Sequence, residues 1–204
     1  MIANLITLAR LILVFVVVAL FGQNVYLDVL MIMVTALILA LDAVDGYIAR
    51  KRNEASDFGA LFDIVGDRIV ENVYWVYFAV VGVIPFWLPI IVLARGFVTD
   101  GLRSAAFAQG KTAFGSKTMM RSAWTRMLTS SRASRSIYGI FKTITFLYLG
   151  GVIALRSVVV TYSIPAEFIT GCEMTGIIIA TIAVAMCIIR GIPVLVDGWE
   201  YVKG

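Results

Sequence analysis

Six stretches of this chain, at about 5–22, 26–48, 63–84, 86–108, 136–158 and 173–196, are apolar over the length of a bilayer crossing, with polar residues collected between them. A helix spans the hydrocarbon core with about 20 such residues. The pattern therefore predicts an all-α integral membrane protein with six transmembrane helices. No small-residue cleavage site follows Leu20-Phe21-Gly22, so the first stretch reads as a helix and not as a removable leader. Pro85 and Pro89 mark the third crossover and Pro165 the fifth, while Pro193 is expected to bend or end the last helix. Little of the 204 residues remains for anything outside the membrane, and one domain over residues 1–204 is expected.

Orientation follows from where Lys and Arg fall. The connections 22–26, 84–87 and 159–172 contain neither. The 49–62 connection carries Arg50, Lys51 and Arg52, and the longest, about 109–135, carries Lys111, Lys117, Arg121, Arg126, Arg132 and Arg135. Placing these two loops inside puts both termini in the cytoplasm, where Arg10 and Lys203 agree.

Composition narrows the class further. With 61% apolar and 15% charged residues, the chain is too apolar for a soluble globule or a disordered segment. The net charge of +4 is modest, and the basic residues lie beside lipid-length apolar runs, so no nucleic-acid partner is expected. Histidine is absent, which excludes any imidazole base or ligand. Cys172 and Cys187 have no metal or redox spacing and read as thiols without a chemical role.

The acidic residues carry the chemistry. Six of the thirteen lie between positions 42 and 67, and none lies between Gly101 and Ala166. At about 100° per residue, Asp42, Asp45, Gly46 and Ala49 share one helical stripe, and Gly59, Asp63 and Asp67 share another. Each helix thus presents two carboxylates on a face otherwise made of very small side chains, which leaves room for a ligand. Asp42 lies about six residues, or roughly 9 Å, before the end of its helix, in the headgroup layer. An ionised Asp in a spanning segment costs on the order of 2.5–3.5 kcal/mol, and four together repel unless cations compensate. Four negative charges match two divalent cations, and an all-oxygen set suits Mg²⁺, Mn²⁺ or Ca²⁺. Glu54 and Asp57 read instead as solvated loop residues.

The run D-x2-D-G-x2-A-R-x8-G-x3-D-x3-D, from Asp42 to Asp67, resembles the signature of the CDP-alcohol phosphotransferases, with all eight fixed positions present. The six-helix length is similar too. The resemblance implies an enzyme that moves a phospho-alcohol from a CDP-linked lipid, such as CDP-diacylglycerol or its isoprenoid counterpart CDP-archaeol, to an acceptor hydroxyl with release of CMP. It implies that Asp42, Asp45, Asp63 and Asp67 hold two divalent cations, Mg²⁺ or Mn²⁺, and that Asp67 is the base. It places Gly46, Ala49, Arg50 and Gly59 at the CDP site, and suggests a homodimer. Asn4, Thr7 and Arg10, spaced by three, resemble a nucleotide-proximal run of the family, though a proline common there is missing. Surface anchoring explains Arg10 equally well.

Two metals can neutralise a pyrophosphate under attack, and transfer of this kind needs positioning more than covalent help. Arg50 can fork onto phosphate oxygens. The site is expected at the cytoplasmic face, because the donor is a membrane lipid and CMP leaves into water.

Nine of the seventeen basic residues fall in the acid-free span 101–166. Such a field would favour a phosphorylated polyol acceptor, although positive-inside bias alone accounts for the loop residues. It accounts less well for Arg95 and Arg103, which lie within the fourth apolar stretch and need an inward partner. The run from Arg95 to Gly101-Leu102-Arg103 resembles a stretch of phosphatidylglycerophosphate synthases, as does Gly139-Ile-Phe-Lys142-Thr143. Gly96, Ile140 and Phe146 depart from that pattern, replacing glutamate, lysine and glutamine. Arg95, Arg103 and Lys142 are the expected acceptor-phosphate ligands, with glycerol 3-phosphate favoured and inositol 1-phosphate second. A cation transporter is the rival class, since intramembrane carboxylates also mark ion paths. Glu71, one turn beyond Asp67, keeps that reading open, but few polar groups lie toward the outer face.

Overall fold

The computed structural model describes residues 2–51, 57–111, 118–159, 162 and 164–201, excepting the side chains of 2–3, 43–51, 57–58, 60, 130 and 132. Among these residues it is helical, with α1 at Ile2–Leu20, α2 at Val25–Lys51, α3 at Asp57–Val80 and α4 at Trp87–Ala108. A short α5 at Ala123–Thr125 runs into a π-turn at Arg126–Ser130, and α6 at Arg132–Val159, α7 at Ala166–Gly198 and a 3₁₀ turn at Trp199–Tyr201 follow. The six long helices match the six apolar stretches in order. Among the described residues, Val25–Asp42, Ala123–Val159 and Ala166–Tyr201 contain windows long and apolar enough to cross a membrane. Asn4–Leu20 is a shorter apolar helix.

Local chemistry sets the helix ends. The Asn24 side chain accepts the Leu27 N–H at 3.0 Å and caps α2. Gly22, with φ +83°, turns the chain out of α1 in the left-handed region that glycine adopts freely. Gly82 does the same after α3 at φ +72°, and Arg156 donates to the Val81 and Gly82 carbonyls at 2.9 and 3.1 Å. Pro89 falls in the first turn of α4, where its missing N–H costs no helical bond. The last helix begins at Ala166, earlier than the apolar run suggests, because Glu167 lies in its first turn and Pro165 precedes it. It also continues through Pro193 to Gly198, so that proline does not end it.

The chain divides into two compact units, residues 1–86 with 143–177 and residues 87–142 with 178–204. In the first unit, α1 packs on both α2 and α3. Its centre is aromatic: Phe146 meets Trp75 edge-on at 5.3 Å and Tyr74 at 5.2 Å, and Tyr74 donates to Thr35 at 3.0 Å. Packing of this kind, and not water exclusion, holds helices together in lipid. Close approach needs glycine at Gly150, where a Cβ would lie 3.1 Å from Phe21, and at Gly176, where it would lie 3.1 Å from Leu149. At the same end, buried Asp28 accepts the Gly22 N–H at 2.6 Å and the Ser157 hydroxyl at 2.5 Å.

The second unit packs Leu102, Ala106, Met119, Met120 and Val194 into one cluster with Tyr201 against it. Met119 and Met120 belong to the stretch 109–135, expected as a basic connection. They are fully buried, and Asp197 fixes the turn by accepting the Arg121 N–H at 2.9 Å.

Candidate active site

Three helices of the first unit build the acidic site. Asp42 comes from the later part of α2, Asp63 and Asp67 from the first half of α3, and Arg10 from the middle of α1. One carboxylate oxygen from each of Asp42, Asp63 and Asp67 lies within 4.8 Å of the others. Two faces that the helical spacing predicted separately thus converge. The side chains of Asp45, Ala49 and Arg50 lie outside the described residues, as does any side-chain environment at Gly46, although α2 is helical through all four positions. Gly59 lies in the first turn of α3 and is half-buried.

Arg10 is neither at a surface nor at a membrane anchor. Its side chain is 3% exposed, against 45%, 42% and 40% for Asp42, Asp63 and Asp67. Its Nη2 donates to Asp42 Oδ1 at 2.7 Å and to Asp67 Oδ1 at 2.8 Å, and its Nη1 lies 3.8 Å from Asp63 Oδ1. A planar guanidinium can bridge two carboxylates in this way, whereas an ammonium acts as a point charge. Thr7, one turn earlier, is 2% exposed. It packs so closely on α3 that a Cβ at Gly66 would lie 2.5 Å from its Cγ2. Gly66 is therefore what lets α1 reach the carboxylates. Glu71, one turn beyond Asp67, is also buried.

The donor set fits a hard divalent cation. Every candidate ligand is a carboxylate oxygen, and the 4.8 Å spread is close to the span of two oxygens across a cation at about 2.1–2.5 Å from each. Among the described residues the carboxylates outnumber the one guanidinium between them, an excess of negative charge that a divalent ion would offset.

The second unit holds the expected acceptor residues. Arg103 pairs with Asp100 one turn earlier, at 3.2 Å. Arg95, on α4, lies against Gly191 of α7, where a Cβ would come within 2.9 Å of its Nε. Next to Gly191, the Arg190 guanidinium lies 5.0 Å from the centre of the Tyr138 ring, and Lys142 Nζ lies 5.9 Å from the same ring. Lys142 and Arg190 thus share the Tyr138 ring, and Arg95 packs on α7 at Gly191, next in sequence to Arg190. The Nε groups of Arg95 and Arg190 are buried and have no hydrogen-bond partner among the described residues. Arg190 was missed from sequence, although a lone Arg between Ile188-Ile189 and Gly191-Ile192 is the kind of intramembrane charge that asks for a function.

The family model described as CDP-alcohol phosphatidyltransferase matches residues 1–199. The chain is 38% identical over 66 residues to a CDP-diacylglycerol--glycerol-3-phosphate 3-phosphatidyltransferase of Mycoplasma genitalium, covering 32% of this chain and 28% of that protein. It is 27% identical over 90 residues to the protein of the same name from Bacillus subtilis, covering 44% and 47%. It is 30% identical over 112 residues to a probable phosphatidylglycerophosphate synthase of Mycobacterium tuberculosis, covering 53% and 54%. The chain therefore aligns with about a quarter to a half of the length of these relatives.

Proposed function

This chain belongs to the CDP-alcohol phosphatidyltransferase family, and on that premise we propose that it transfers the phosphatidyl group of CDP-diacylglycerol to the hydroxyl of glycerol 3-phosphate, releasing CMP. The observation that carries the reading is the convergence of Asp42, Asp63 and Asp67 from two helices, at the motif positions, within 4.8 Å of one another. Relatives named for this reaction support the choice of donor and acceptor.

In this reading, Asp42, Asp45, Asp63 and Asp67 would hold two divalent cations, Mg²⁺ or Mn²⁺, whose charge neutralises the pyrophosphate. The acceptor oxygen forms a bond to the lipid-side phosphorus, the bond from that phosphorus to the CMP oxygen breaks, and the hydroxyl proton passes to a carboxylate oxygen of Asp67. Gly46, Ala49, Arg50, Gly59 and Thr7 are assigned to the CDP moiety. For the acceptor phosphate, the buried N–H groups of Arg95 and Arg190, with Lys142 beside the same tyrosine, supply donors that an anion would satisfy. Arg103, drawn to Asp100, is the weaker ligand of the original set.

The chain is read as one domain over residues 1–204, integral to the cytoplasmic membrane, with six spanning helices and both termini and the site on the cytoplasmic side. Large apolar side chains such as Phe97, Phe107 and Val80 are more than 70% exposed, as lipid-facing residues are. A homodimer is proposed on the family resemblance, and mass measurement in detergent tests it.

The deciding experiment supplies CDP-diacylglycerol with glycerol 3-phosphate, inositol 1-phosphate or no acceptor to detergent-solubilised protein and identifies the lipid made. Phosphatidylglycerophosphate from the first mixture alone is expected. A product only with inositol 1-phosphate would overturn the acceptor, and no lipid product with either would overturn the reaction.

A further inference from the structure

We propose that Arg10 is a positioning residue for the cation site: from the buried side its guanidinium bonds the carboxylates of Asp42 on α2 and Asp67 on α3 and so holds ligands from the two helices together. The inference rests on the metal reading above. It starts from an asymmetry. The guanidinium is 3% exposed, while the three carboxylates are 40–45% exposed. Arg10 therefore closes the inner wall of the site, and an ion arriving from outside would meet the opposite side of the carboxylates.

A single Nη2 bonds Oδ1 of both Asp42 and Asp67, which belong to different helices. The three ligand oxygens lie within 4.8 Å of one another with Arg10 in place, so the geometry a cation needs coexists with the guanidinium. If Arg10 instead stood in for the metal, removing it would tighten cation binding. If it positions the carboxylates, removing it lets three like charges spread apart and weakens binding. Hydrogen-bond partners of metal ligands typically contribute about 10–100-fold in affinity.

The test titrates Mn²⁺ alone into the full-length, detergent-solubilised protein, reading free Mn²⁺ by electron paramagnetic resonance, beside metal-free thermal unfolding. Arg10→Met is expected to raise the Mn²⁺ Kd about 10–100-fold. Arg10→Lys, which keeps the charge but not the fork, is expected to weaken binding by less. A merely structural Arg10 would lower the metal-free unfolding temperature and leave the Kd unchanged. An unchanged or tighter Kd in Arg10→Met overturns the proposal. Should that variant not fold, a wild-type Kd in Arg10→Lys overturns it as well. Absence of Mn²⁺ binding by the unmutated protein would remove the metal reading together with this one, whereas equal binding by all three proteins would remove only the role given to Arg10.

Discussion

Replacing Gly66 by Ala adds one methyl group at the tightest helix contact beside the acidic site. Its Cβ would lie 2.5 Å from Thr7 Cγ2, and ordinary carbon contacts begin near 3.5 Å, so α1 and α3 must separate by about 1 Å. Thr7 cannot swing away, because it is buried and a β-branched side chain on a helix has few rotamers. Arg10, one turn further along α1, moves with it. Its 2.8 Å bond to Asp67 of α3 would stretch by about the same 1 Å, past hydrogen-bonding distance, which breaks the bridge to Asp42 of α2. Overpacking costs about 1–3 kcal/mol, offset by roughly 0.5–1 kcal/mol from replacing a helical glycine. A net loss of about 1–2 kcal/mol lowers the unfolding midpoint by a few degrees. A 1 Å misplacement at a reacting centre can cost about 100-fold in rate. Unfolding in detergent and CMP release measure the two effects, and Thr7→Ser, which deletes Cγ2 but keeps the hydroxyl, should rescue both in the double variant. Gly151→Ala, with nothing within 4 Å of the added Cβ, should change neither. Wild-type stability and turnover in Gly66→Ala, or no rescue by Thr7→Ser, would refute the reasoning.

Other perturbations separate the parts of the site. Asp63→Asn and Asp67→Asn should each lower CMP release by at least about 100-fold while circular dichroism still shows a folded helical protein; near-normal turnover in either would contradict the mechanism. Arg95→Ala and Arg190→Ala should raise the acceptor KM by about 10–100-fold, the worth of one charge-assisted hydrogen bond, with the donor KM little changed. An unmoved acceptor KM would detach these arginines from the acceptor. Asp28→Ala removes the buried carboxylate that accepts from the Gly22 N–H and the Ser157 hydroxyl and should destabilise by about 1.5–3 kcal/mol, the worth of hydrogen bonds to a charged group, read as a lower unfolding midpoint with turnover per folded molecule unchanged.

Much of this architecture was legible in the chain, because lipid-length apolar runs and a period of 3.6 are properties of single helices. The same arithmetic put Asp42 on one face and Asp63 with Asp67 on another, and the structure brings these faces together. What it could not provide was the contact between helices. Arg10 reads equally as part of a nucleotide-proximal run or as a surface anchor until α1 is packed on α2 and α3, and only then does it lie among the carboxylates. Gly66 falls outside the fixed positions of the aspartate motif, and its role depends on Thr7, 59 positions earlier. Arg190 carried a signal that went unread, a lone charge in an apolar helix. Met119 and Met120 lay hidden in a basic connection because a two-residue apolar pair has no period. Ala166 opens α7 ahead of the apolar run, with Pro165 before it and the acidic Glu167 in its first turn, features that favour a helix start independently of hydropathy.

The central claim meets its plainest test in CMP release by the purified protein in detergent, with CDP-diacylglycerol and glycerol 3-phosphate but no membrane gradient, before and after divalent ions are stripped. The account predicts one CMP per lipid product, loss of both on chelation, and recovery when Mg²⁺ or Mn²⁺ is restored. CMP release that persists unchanged after the ions are stripped, or none under any condition, would contradict it.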